Sequence, residues 1–146
     1  MALTAAPTDG WGVSDEGEYR DDKREGQGIS TFADGSIYRG EYKNDKAAGN
    51  GTFTFASGNE YIGEFRDDVK HGVGTFTFAS GARYQGQWEC DVRCGKGTYV
   101  WPDGDMYEGE YANDKMHGYG VYTFGNGQNQ KVGQFREGKY VGSVSP

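Results

Sequence analysis

The sequence predicts an all-β protein: an elongated, curved, single-layer sheet of tandem antiparallel β-hairpins. Three observations predict it. Tyr38-Arg39-Gly40-Glu41-Tyr42 returns every 23 residues, as Tyr61-Ile62-Gly63-Glu64-Phe65, Tyr84-Gln85-Gly86-Gln87-Trp88 and Tyr107-Glu108-Gly109-Glu110-Tyr111. A strict period of this length marks a repeat array, in which each unit buries its apolar face against its neighbours. Apolar and polar residues alternate with period two inside each unit, and no segment has helical spacing. Turn residues fall at fixed slots between the alternating runs.

The frame extends both ways. Gly17-Glu18-Tyr19 lies one period upstream, with Asp15 in place of the leading Tyr. Gly133-Gln134-Phe135 is a further copy, displaced one residue by an insertion near Gln128 to Lys131. The chain therefore divides into an N-terminal tail or cap over 1–14, five 23-residue repeats over 15–130, and a truncated sixth repeat with the C-terminal end over 131–146.

Each unit holds two extended runs. In the second unit the first run is Tyr38 to Lys43, with Tyr38, Gly40 and Tyr42 on one face and Arg39, Glu41 and Lys43 on the other. The second run, Gly49 to Ala56, places Gly49, Gly51, Phe53 and Phe55 opposite Asn50, Thr52 and Thr54. Between units, Asp34-Gly35, Ser57-Gly58, Ser80-Gly81, Asp103-Gly104 and Asn126-Gly127 suit tight turns. Within units, Asp22, Asp45, Asp68, Asp91 and Asp114 hold the other turn. Gly138 in the same slot points to a backbone position with φ > 0.

The rings align in four ladders. They are Tyr19, Tyr42, Phe65, Trp88, Tyr111 and Phe135; then Tyr38, Tyr61, Tyr84 and Tyr107; then Phe53, Phe76, Tyr99 and Tyr122; then Phe32, Phe55, Phe78, Trp101 and Phe124. Glycine normally weakens a strand. Here it shares the aromatic face, so a neighbouring ring can lie across bare backbone, which offsets the loss and bends the sheet.

This pattern, Tyr-x-Gly-Glu followed by Tyr, Phe or Trp, then Gly-x-Gly, an aromatic and a turn Gly, resembles the MORN repeat (membrane occupation and recognition nexus). The resemblance runs from Asp15 to the C-terminus. The first unit lacks the leading Tyr and the sixth has Val144 in the final Gly slot, departures that suit terminal capping units. The resemblance implies a non-catalytic binding surface. Some similar arrays accept a partner's extended or helical segment along the concave face. Others build ciliary and flagellar axonemes, notably radial spoke heads, or organise the cytoskeleton. Some are linked to acidic phospholipids, and others are fused to lipid kinases or a lysine methyltransferase.

Composition narrows the classes. Net charge is −7, which disfavours nucleic acid, because phosphate binding needs a basic stripe. The same charge, with no polybasic segment and no amphipathic helix, disfavours a membrane surface. Aromatic content of 15% against hydrophobic content of 34% means that rings supply the burial. Cys90 and Cys94 share one turn region, and no leader or long apolar run is visible, so an intracellular chain with reduced thiols is expected.

Chemistry-bearing patterns are weak. His71, Cys94 and His117 occupy one slot of successive units, roughly 10 Å apart, too far to converge on one zinc. Glu18, Glu41, Glu64 and Glu110 form a row on the polar face, with Gln87 and Gln134 in the same slots. On an open face they are expected to accept bonds from neighbouring Thr, Lys or backbone groups, not to act as paired catalytic acids. Gly49-Asn50-Gly51 and Gly72-Val73-Gly74 lack the Gly-Lys-Ser/Thr or the helix of a phosphate loop. No catalytic residue, metal site or cofactor is expected.

The aromatic face remains, because a one-layer sheet has nothing of its own to cover it. The expected function is a protein-binding scaffold or adaptor, as a structural subunit of a cytoskeletal or ciliary assembly in the cytoplasm or an axoneme. A phospholipid-associated tether and an in-trans regulator of an enzyme are the alternatives. The residues expected to line the partner groove are Tyr42, Phe65, Trp88, Tyr111, Tyr61, Tyr84, Tyr107, Phe55, Phe78, Trp101 and Phe124. The C-terminal edge is expected to be open to pairing with a second copy or another subunit.

Overall fold

The computed structural model describes residues 3–5 and 14–143. They form one antiparallel sheet of 13 strands whose spatial order is the chain order. β1 (Leu3–Ala5) precedes a series of hairpins: β2 (Ser14–Arg20) with β3 (Lys23–Thr31), β4 (Ile37–Lys43) with β5 (Lys46–Thr54), and β6 (Glu60–Arg66) with β7 (Val69–Thr77). The series continues with β8 (Arg83–Glu89) and β9 (Val92–Val100), β10 (Met106–Ala112) and β11 (Lys115–Thr123), and β12 (Gln130–Arg136) and β13 (Lys139–Gly142). The all-β hairpin array read from the sequence is thus the observed fold. The sheet is open, with β1 and β13 each paired on one side only.

Two details go beyond the expectation. The N-terminal tail or cap over 1–14 contributes β1, which pairs Leu3 with Glu18 and Ala5 with Glu16. Three residues are too few to show a period-two pattern. The second run of each unit also begins earlier than its glycines. In the second unit it starts at Lys46, because Tyr42 pairs with Ala47 while Gly40 pairs with Gly51. Glu41 therefore faces the three residues between them, and the strand bulges.

The bulge has a specific local cause. Gly49 takes φ +81, a value that favours glycine, and a Cβ there would sit 2.1 Å from the Glu41 carboxylate. That carboxylate accepts the Asn50 N–H freed by the bulge. The arrangement recurs: Glu18 accepts Gln27 N–H (2.7 Å), Glu64 accepts Val73 N–H (2.6 Å), and Gln87 Oε1 accepts Lys96 N–H (2.6 Å). The acidic row of the polar face is therefore a row of backbone caps. Bulges sharpen right-handed twist, so one per hairpin coils the whole sheet.

Both turn rows stitch unit to unit. Within units the two turn residues have positive φ, as at Asn44 (49°) and Asp45 (71°), the type I′ geometry that matches strand twist. From the second unit on, the turn Asp then reaches back one unit. Asp68 accepts Ala47 N–H at 2.8 Å, and its own N–H donates to Ala47 O at 3.0 Å. Asp45, Asp91 and Asp114 do the same to Arg24, Lys70 and Arg93. At the other end, Ser36, Asn59 and Asp105 accept N–H bonds from Ala56, Ala79 and Gly125. The exception explains itself: Ala82 has no acceptor, and the matching donor position is Pro102, which has no N–H.

Rings lie across the glycines as the sequence suggests. A Cβ at Gly74 would sit 2.1 Å from Tyr61 Oη and 2.4 Å from its Cζ, and Tyr61 is fully buried. Gly74→Ala is expected to cost about 1–3 kcal/mol by overpacking. Gln85→Ala, on the exposed polar face, is expected to change stability by less than about 0.5 kcal/mol. Urea unfolding followed by circular dichroism checks both, and equal midpoints for the two variants would refute the glycine-floor account.

Candidate functional site

The aromatic face resolves into two files of rings running along the array. The inner file zigzags between the first two ladders. Tyr38 meets Tyr42 and Phe65, Tyr61 meets Phe65 and Trp88, Tyr84 meets Trp88 and Tyr111, and Tyr107 meets Tyr111 and Phe135. All are edge-to-face contacts with centroids 4.9–5.5 Å apart, the geometry that ring quadrupoles favour. Each ladder Tyr also donates its hydroxyl to the main chain three residues on. Tyr38 reaches Glu41 O at 2.7 Å and Tyr84 reaches Gln87 O at 2.9 Å.

The outer file alternates between the fourth and third ladders: Phe32, Phe53, Phe55, Phe76, Phe78, Tyr99, Trp101, Tyr122 and Phe124. Centroids lie 4.5–5.8 Å apart. Apart from Phe76 its members are half-buried.

This division corrects the expected groove. Tyr61, Tyr84 and Tyr107 have no exposed surface, and Tyr42, Phe65, Trp88 and Tyr111 are 6–8% exposed. They are core, because the coiled sheet wraps around them and each ring is covered by the next unit. Phe55, Phe78, Trp101 and Phe124 keep half-exposed surface, as do Phe53, Tyr99 and Tyr122, which were not among the expected groove residues.

The sequence reading also missed a set of cations. Arg24, Lys70 and Arg93, each two residues after a turn Asp, extend between the files. The Arg24 guanidinium lies 4.7 Å from the Tyr42 ring centre, Lys70 Nζ 5.2 Å from that of Trp88, and the Arg93 guanidinium 5.4 Å from that of Tyr111. Each pairs with the turn Asp of the next unit: Arg24 with Asp45 at 2.7 Å, Lys70 with Asp91 at 3.1 Å and Arg93 with Asp114 at 2.9 Å. Parity could not find them, because the bulge lies between Lys70 and Gly74, and a Cβ at Gly72 would meet the Glu64 carboxylate of the polar face. Burial disfavours the Arg24 charge, but the Asp45 hydrogen bond and the nearby acids outweigh it and raise its pKa. Burial likewise raises Asp45, and the Arg24 bonds reverse this, holding its carboxyl below the ordinary value.

The first unit has a polar substitute for its rings. Asp15 and Ser30 occupy the slots held elsewhere by Tyr and Phe or Tyr, and both are buried. Ser30 Oγ donates to Asp15 and shares a hydrogen bond with the Tyr42 hydroxyl, while Arg24 donates to Asp15 at 3.3 Å and to Ser30 at 3.2 Å. Among the described residues no buried side-chain polar atom lacks a partner, so this end is a satisfied plug.

Burial pushes the phenol of Tyr107 up to about 12, and burial with a hydrogen bond to Asp105 does the same for Tyr122. Tyr38, Tyr61, Tyr84 and Tyr111 are driven higher, again first by burial. Folded values lie above the unfolded value of about 10, so this stabilisation is complete below about pH 10 and is lost as pH rises through the folded values. The melting temperature is therefore expected to fall steeply above about pH 10. Tyrosinate absorbance from the ladder should rise together with loss of the β circular dichroism signal. Ladder ionisation near about pH 10 in an intact fold would contradict the packing described.

The repeats match the MORN repeat family at residues 16–37, 38–60, 61–83, 84–106 and 107–129. No curated protein matches the chain. MORN repeats are generally modules that bind proteins or membranes, and among the described residues no helix is long and apolar enough to cross a membrane. With the match covering most of its length, and the ring-on-glycine hairpin built in every matched unit after the first, this chain belongs to the MORN repeat family.

Proposed function

We propose that the chain is a non-catalytic scaffold or adaptor that binds an apolar segment of a protein partner along its outer file of rings. One observation carries this reading. Phe55, Phe78, Trp101 and Phe124 are half-buried rings of one file, linked through Phe76, Tyr99 and Tyr122, and no element among the described residues covers that file. An apolar stripe of this continuity, flanked by charged groups, has the composition of a partner site. The inner file below it is packed and hydrogen-bonded, so the stripe sits on a preorganised base, which lowers the ordering cost of association. A helical or extended segment with apolar residues on one side fits the shape.

In this reading the chain serves as a structural subunit of a cytoskeletal or ciliary assembly, of axonemal or radial-spoke type, in the cytoplasm or an axoneme. The family relationship supports the general role, and the net charge of −7 favours a protein over an anionic membrane as the ligand.

Phe78→Ala combined with Trp101→Ala tests the stripe. Both rings are half-exposed, so the variant is expected to keep its β circular dichroism spectrum. Central aromatic anchors are worth about 2 kcal/mol or more each, so the affinity for the partner should fall by roughly 1000-fold and capture from the source cells should be lost. Undiminished capture by the folded variant overturns the proposal. Flotation with phosphatidylserine vesicles should leave the protein at the bottom of the gradient. Imaging of the tagged chain outside any cytoskeletal or ciliary structure would remove the cellular half of the reading.

A further inference from the structure

One repeat keeps its acid and lacks its cation. The slot two residues after the turn Asp holds Arg24, Ala47, Lys70, Arg93 and Met116 in successive units, each paired across its hairpin with a ring of the first ladder. Arg24, Lys70 and Arg93 bridge to Asp45, Asp91 and Asp114. Where Met116 replaces the cation, the acid is absent as well, since Gly138 stands in its place and Met116 packs as an apolar residue. At Ala47 the short side chain is present, yet Asp68 remains. Its Oδ1 caps the Ala47 N–H at 2.8 Å, and among the described residues no Lys or Arg pairs with it.

A cavity of about 680 Å³ includes the place of that missing side chain, and runs from Ala47 and Asp68 past Tyr38, Phe53, Phe55 and Phe65 to Phe32 and Asp34. It opens beside the outer file at Phe55. Its charge balance favours a cation. Arg24 also borders it, but that guanidinium is matched by Asp15 and Asp45. Asp34 borders it too, with its carboxylate receiving the Ser36 N–H at 2.8 Å. Asp68 has no matching charge among the described residues, and it stands among ring faces and edges of the kind that hold Arg24 and Arg93 in their own units.

We propose that this cavity is a socket for an arginine side chain of the partner polypeptide. The guanidinium takes the position that Arg93 takes in its own unit, where Nε donates to the Asp114 carboxylate at 2.9 Å and Nη2 to the Asp114 main-chain oxygen at 2.6 Å. Asp68 offers the same carboxylate and carbonyl at the equivalent turn, and a planar fork matches that pair of acceptors better than an ammonium does. The proposal rests on the reading of the aromatic face as a protein-binding face. It adds the chemistry of one anchor: an arginine placed beside the apolar residues that lie on the stripe.

The test uses the full chain, isotopically labelled, titrated with acetyl-Ala-Arg-Ala-amide and with the isosteric citrulline peptide. The arginine peptide is expected to give saturable shifts centred on the amides of Ala47, Asp68 and Phe55. The citrulline peptide should bind roughly tenfold or more weakly, because the charge-assisted bonds are lost. Asp68→Asn should weaken the arginine peptide by a similar factor while preserving the spectrum elsewhere. Ala47→Arg should fill the socket from within, raise the melting temperature and abolish the response. Equal response to both peptides, indifference to Asp68→Asn, shifts spread evenly over all units, or no saturable shift up to the solubility limit each overturn the socket. These outcomes are independent of partner capture: loss of capture in the Phe78 and Trp101 variant alongside an inert socket would leave the stripe standing and remove the arginine alone.

Discussion

Every level of this structure depends on a tyrosine ring lying flat on a pair of glycines. Tyr61 covers Gly63 and Gly74, and its hydroxyl anchors to Glu64 O at 2.8 Å. The two Cα atoms meet because neither residue carries a side chain, with a Cβ at Gly63 falling 2.4 Å from Gly74 Cα. The ring fills what would be a hole in a one-layer sheet and presents its edge to the ring of the next unit. A core therefore forms along a line, from contacts between consecutive units, without a second layer. The polar face contributes the complementary part, with each Glu or Gln holding open the bulge that coils the sheet around those rings.

Much of the fold was legible because the period is strict and its two turn types carry distinct residues. Asp45 and its equivalents, with Gly138 in the same slot, revealed a positive-φ position, and all of these residues adopt one. The bulge was not legible, because Lys46 to Ala48 has no alternation that separates a strand from a turn. The candidate site was legible only by side. Alternation says which face a residue is on, not how deeply a coil will sink it, so Tyr42 and Trp88 read as groove while they are core. Arg24, Lys70 and Arg93 escaped because a charged residue next to a turn reads as solvated. Their long aliphatic stems instead carry the charge across the ring face to an acid one unit away.

Paired exceptions show how local the rules are. Ala82 lacks an acceptor where Pro102 lacks a donor, and Met116 lacks a charge where Gly138 lacks one. In each case both side-chain partners of a stitch change together. The terminal units follow the same logic. The Asp15, Ser30, Arg24 and Tyr42 network closes the inner file at one end with hydrogen bonds where rings would otherwise meet solvent.

The strictly sequential strand order has a mechanical consequence. Ladder hydrogen bonds in an antiparallel sheet run perpendicular to the strands, hence along the long axis of this ribbon. A force that pulls its two ends apart loads those bonds in series, not in parallel. The ribbon would then yield by peeling one hairpin at a time from whichever end is weaker, absorbing extension in small steps at low tension, as a compliant link would between two anchored bodies.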